Sequence, residues 1–201
     1  MIDRTGETKV FEQAMKFVTD AFKKRPTPKL RWSHYDLYPS FNAWDYIIHT
    51  NKKQPGYLYL KNVDHKGFGF YTHQWLPEGV PFNLDSIIIS TAPLYKPSKE
   101  YHIVSYEKIT NKLETGSQQA DENGRLHFLY QRPGIETGIY NDTDSASFIL
   151  LDYHTVDKGR FLHNNQTGKI FLRIFNRANT LLTASKIKLS ISTTDPSIDR
   201  K

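Results

Sequence analysis

Two prolines divide this sequence into two kinds of periodicity, and that break constrains the fold more than any other feature. Ahead of Pro26 and Pro28, the apolar residues Val10, Phe11, Ala14, Met15, Phe17, Val18, Ala21 and Phe22 recur at i, i+3, i+4 and i+7. That spacing predicts an amphipathic helix over residues 7–24, and Lys23 and Lys24 in its last turn suit the helix dipole. Proline has no N–H to donate and crowds the preceding turn. The helix therefore stops, and an extended linker is expected over residues 26–42.

Beyond the linker the apolar period falls from 3.6 to 2. Strands are predicted over residues 43–49, 57–63, 67–75, 86–91, 101–108, 125–130, 136–140, 147–154, 169–176 and 186–193. Turn chemistry separates them, as in Gln54-Pro55-Gly56, Pro77-Glu78-Gly79, Asp121-Glu122-Asn123-Gly124 and Asp157-Lys158-Gly159. Many short strands with no helix between them indicate a sandwich or barrel rather than a βαβ sheet. The expected fold is mainly β: an Ig-like β-sandwich preceded by one amphipathic α-helix and a proline-containing linker. The expected divisions are a helix at 1–25, the end of a preceding domain; a linker at 26–42; a sandwich at 43–194 with a small sheet at 43–75; and a tail at 195–201. The turn at 121–124 reads as a hairpin, and 170–177 with 186–191 as the final strand pair.

Composition narrows the functional classes. There are no cysteines, which removes disulfides, thiolate metal sites and cysteine nucleophiles together. The formal charge of +6 is concentrated near the N-terminus, where residues 1–61 hold eleven Lys/Arg against six Asp/Glu. The remaining 140 residues hold sixteen against fifteen, so the body lacks the basic stripe of a nucleic-acid binder. No run approaches the 18 or so apolar residues of a membrane-spanning helix. The first nine residues lack the apolar core of a signal peptide.

The chemistry-bearing motifs are sparse. No serine lies in a Gly-x-Ser-x-Gly elbow. Ser33-His34-Tyr35-Asp36 contains all three triad residue types, but neighbours along one chain do not converge as a triad does. Asp152 and His154, like His34 and Asp36, supply two ligands where zinc takes three or four. No metal, cofactor or catalytic residue is assigned. Aromatics are the more informative signal: 13% of the chain, crowded over residues 32–46 and 57–75. Buried, they form core or an interdomain seam; exposed, flat rings stack on sugars. The candidate ligand-binding residues are Trp32, Tyr35, Trp44, Tyr57, Tyr59 and Trp75. Gly67 and Gly69, inside a strand pattern, point to a bulge or to close packing against a ring.

Several motifs together resemble a known arrangement. Trp32, Tyr38-Pro39, Phe41-Asn42-Ala43-Trp44-Asp45-Tyr46, Gln54-Pro55-Gly56-Tyr57-Leu58-Tyr59-Leu60, Trp75-Leu76-Pro77-Glu78-Gly79 and Thr91-Ala92-Pro93-Leu94-Tyr95-Lys96-Pro97 are similar to the region after the catalytic domain of secreted esterase-like α/β hydrolases. Those enzymes belong to polysaccharide-degrading Gram-negative bacteria. The resemblance implies that the helix is the last of a hydrolase domain and that the rest is its C-terminal sandwich. It implies an extracytoplasmic location, and a preceding catalytic domain or a glycan as partner. No catalytic position of that family has a counterpart here. Three roles follow as expectations: a non-catalytic accessory module of a larger hydrolase, a carbohydrate-binding module, or a small enzyme with an unfamiliar site.

Overall fold

A computed structural model describes residues 5–23, 30–77, 79–155 and 169–178. The predicted helix is α1 (Thr5–Lys23). Twelve strands follow: β1 (Trp32–Asp36), β2 (Ser40–Ala43), β3 (Tyr46–Thr50), β4 (Tyr57–Asp64), β5 (Gly67–His73), β6 (Ile87–Ser90), β7 (Glu100–Glu107), β8 (Lys112–Gln119), β9 (His127–Tyr130), β10 (Ile135–Tyr140), β11 (Phe148–Thr155) and β12 (Ile170–Asn176).

Two antiparallel sheets make the sandwich, one ordered β1-β4-β5-β10-β7-β8 and the other β2-β3-β6-β9. The fold is mainly β, a sandwich preceded by one helix, as expected. Alternation decides which side chains meet. Leu58, Leu60, Phe68, Phe70, Tyr101 and Ile139 from the larger sheet face Tyr46, Ile48, Ile87, Ile89 and Phe128 from the smaller one. Rings interlock edge to face at this seam, with Phe68 and Phe128 centroids 5.3 Å apart at 73°.

Three expectations are corrected. The stretch 26–42 is not all linker: residues 32–36 pair with β4 as an edge strand, and 40–43 pair with β3. Residues 43–75 form no separate small sheet, because β3 joins β2, β6 and β9 whereas β4 and β5 belong to the larger sheet. The Asp121 turn is a crossover between sheets rather than a hairpin, since β8 pairs with β7 and β9 with β6. The strand β12 pairs with β11, while the expected partner 186–193 lies outside the described residues. The strand β8 (KLETGSQQ) has almost no apolar alternation and is exposed on both faces, so its pairing with β7 was invisible to a hydrophobic-period argument.

The pair β11–β12 covers part of the outer face of the larger sheet. Ile149, Leu151 and Phe175 pack there on Val104, Tyr106 and Tyr140 in a second apolar cluster. Glycine makes the close approach available: a Cβ on Gly138 would stand 2.3 Å from the carbonyl oxygen of Arg177. Helix α1 contributes to neither cluster. Its Phe11, Phe17 and Phe22 are exposed, Phe22 by 88%.

Candidate functional site

The uncovered part of that outer face is a cleft of about 700 Å³, within the size range of ligand sites. Three strands build its floor through residues of one parity. Tyr35 from β1 stacks on Tyr59 from β4, ring centroids 3.9 Å apart and 8° from parallel. Tyr71 and His73 from β5 continue the row, 6.4 and 5.7 Å from the Tyr59 ring. The walls are the segment at Pro77, Gly79 and Pro81 on one side and Leu150–Tyr153 of β11 on the other.

The charged groups at the cleft fall into two sets. On the wall, Lys108 lies 3.3 Å from Asp152, and Arg173 of β12 approaches the same carboxylate at 3.8 Å. On the floor, the Lys61 ammonium lies 5.7 Å from the centre of the Tyr71 ring, a cation–π contact. No carboxylate lies within 4 Å of Lys61 among the described residues.

Beneath Tyr71 is a buried charged cluster that sequence reasoning missed. Tyr71 donates its phenol proton to Glu136 Oε1 at 2.5 Å. The guanidinium of Arg177, with a side chain 0% exposed, lies 3.2 Å from Asp64 and 3.6 Å from Glu136 Oε2. Arg31 reaches Asp64 from outside at 2.9 Å. Burial pushes the Glu136 carboxyl above its ordinary pKa, against the opposing pull of the Tyr71 bond, Arg177 and Lys61. Burial, together with the Glu136 charge, holds the Tyr71 phenol well above its usual value. Gly69 leaves room for that carboxylate, since a Cβ there would stand 2.5 Å from Glu136 Oε1. The close packing anticipated at Gly69 is therefore against a carboxylate, not a ring. The bulge lies on the facing strand, where the β4 register shifts between Lys61 and Asp64.

Of the six residues singled out as ligand-binding, the cleft gathers Tyr35 and Tyr59. Trp75, 55% exposed, lines a separate hollow of about 430 Å³ with Gln54, Pro55, Gln74 and Phe82. Trp32 turns inward and meets Tyr46 edge-on at 5.6 Å. Trp44 occupies the tight β2–β3 turn with φ of 49°, next to Asp45 at 67°. Arg125 bonds the carbonyl of Asp45 there at 2.6 Å. Tyr57 is half-buried on β4, outside the cleft lining. Sequence reasoning missed Lys61 and Lys108, which alternation marks only as polar positions, and Asp152 and Tyr153, because β11 reaches the cleft only through tertiary packing.

A second arrangement joins a serine, a histidine and an aspartate. Ser90 Oγ lies 2.8 Å from His127 Nδ1, and His127 Nε2 lies 3.0 Å from Asp121 Oδ2. Ser90 and His127 are direct cross-strand partners. In hydrolase triads the serine contacts Nε2 and the carboxylate contacts Nδ1; here the ring is used the other way round. His127 is half exposed on an open sheet face and lines neither hollow. Acyl transfer draws its largest stabilisation from fixed donors in a water-excluded site, and an open sheet face does not exclude water. Asp121 also accepts the N–H groups of Asn123 and Arg125, so the network organises the crossover turn. Within Ser33-His34-Tyr35-Asp36, His34 bonds Asp36 at 3.1 Å while the Ser33 hydroxyl accepts the Asn62 N–H. Among the described residues, no three His, Asp or Glu side chains group as a metal site, and no helix is long and apolar enough to cross a membrane.

Compared with known proteins, the chain matches no family profile, no curated protein and no solved structure.

Proposed function

We propose that this chain is a non-catalytic accessory β-sandwich module of a larger extracytoplasmic, esterase-like hydrolase acting on polysaccharide or ester substrates. The observation that carries the reading is the mismatch between α1 and the sandwich. The sheets complete their core without the helix, and α1 keeps an apolar stripe of Phe11, Met15, Val18 and Phe22 exposed. A helix of this amphipathic kind draws its stability from packing rather than propensity. Such a stripe fits a helix that belongs to a neighbouring domain.

The test is the reading frame upstream of the Met1 codon. Continuation into an α/β domain with a Gly-x-Ser-x-Gly elbow supports the proposal; an unrelated upstream gene refutes it. At the protein level, deletion of residues 1–29 is expected to leave the thermal unfolding of the sandwich unchanged.

A second reading, a carbohydrate-binding module, is favoured by the cleft. Its aromatic lining has the character of a sugar site, although Tyr35 and Tyr59 stack on one another instead of forming a flat, outward-facing platform. A sugar would enter between walls and meet a row of rings. Binding of a neutral or acidic oligosaccharide, lost on Tyr35→Leu, is the expected result.

A further inference from the structure

We infer that the cleft on the larger sheet takes an acidic oligosaccharide, with Lys61 as the residue that recognises its carboxylate. The inference rests on the glycan reading of the cleft and adds the charge of the ligand. Its first support is the balance of charged groups. At the wall, Lys108 and Arg173 share the single carboxylate of Asp152. Below the floor, Arg177 and Arg31 are matched by Asp64 and Glu136. Five cations thus face three carboxylates, so the described groups around the cleft are positive on balance, and Lys61 is the one of the five with no carboxylate within 4 Å among the described residues. Glu136 does not neutralise it at contact distance, since that carboxylate is engaged by Tyr71 and Arg177.

The second support is the position of Lys61. It stands half-buried in the floor strand, between the Tyr59 row and the Gly69 backbone that is its cross-strand partner. The Tyr71 ring holds the ammonium in place, which reduces the entropy lost when a ligand anion binds. The third support is shape. The cleft is open to solvent, and its lining includes the rings of Tyr35, Tyr59, Tyr71, His73 and Tyr153 together with three prolines. An open cleft with such rings suits the apolar faces of sugar units, with the carboxylate taken up by the fixed cation.

Calorimetric titration of the full chain at low salt with tetragalacturonate and tetramannuronate, the fully methyl-esterified tetragalacturonate, and cellotetraose tests this. At least one acidic tetrasaccharide is expected to bind, with the methyl ester and the neutral sugar weaker by about tenfold, the worth of one charge-assisted contact. Lys61→Gln is expected to remove that discrimination, and Lys53→Gln, an exposed lysine outside the cleft, to preserve it. Tyr35→Leu is expected to weaken all the sugars alike. Equal binding of acidic and neutral sugars, or an unchanged preference in Lys61→Gln, overturns the assignment of Lys61 while leaving a glycan site. Binding of none of the four sugars overturns both.

Discussion

Replacing Arg177 by Met tests the energetic centre of the outer face. The guanidinium is fully buried, and its two carboxylate partners, Asp64 and Glu136, are 8% and 1% exposed. Removing one member of a buried ion cluster costs about 3–5 kcal/mol, because the remaining charges lose their compensation in a medium that solvates them poorly. Two features place Arg177→Met near the lower end. Arg31 still holds Asp64, and Glu136 can take up a proton, its pKa being raised already. A loss of about 3 kcal/mol follows, equivalent to roughly 6–12 °C in Tm for a chain of this size. Urea unfolding followed by circular dichroism measures it. Adding Glu136→Gln to Arg177→Met is expected to return about 1 kcal/mol or more, since the amide carries no uncompensated charge. A single-variant loss below about 0.5 kcal/mol, the range of ordinary surface substitutions, would falsify the reasoning. So would a double variant that loses the full sum of the two single effects.

Three further outcomes are expected. Gly138→Ala places a methyl against the Arg177 backbone, and overpacking of this kind costs about 1–3 kcal/mol, read as a lowered urea midpoint; an unchanged midpoint counts against the close approach. The raised Glu136 pKa means that its contribution to stability is complete below the ordinary carboxyl range near pH 4.3 and declines as pH rises through its folded value. The stability of the wild type relative to Glu136→Gln is therefore expected to fall from acid to neutral pH, and a flat difference contradicts it. Ser90→Ala is expected to leave hydrolysis of a chromogenic acetate ester at the buffer rate seen with the unaltered chain, and a Ser90-dependent burst overturns the non-catalytic reading.

The correspondence between sequence and structure follows the range of the signal. Strand existence was legible wherever burial is one-sided, as in Tyr57-Leu58-Tyr59-Leu60, because alternation writes the buried face directly into the chain. It failed for β8, which buries almost nothing, and for β1, whose five residues were read as linker beside the prolines. The candidate site divides in the same way. Tyr35 and Tyr59 were found by type and local parity, whereas Trp32 and Trp44 share their chemistry and went to the core seam and a tight turn.

Local order thus settled the helix, the change of period at the prolines and the mainly β class, since each depends on neighbours two to four residues apart. Tertiary packing alone decided which sheet each strand joins, because the chain crosses between sheets repeatedly and both bury an apolar inner face. It alone brought Arg177 to Asp64, 113 positions away, and set Lys61 beside a cleft walled by β11. Charge and ring type can be read from a sequence, but a site exists only where distant segments are forced together by the burial of their other faces.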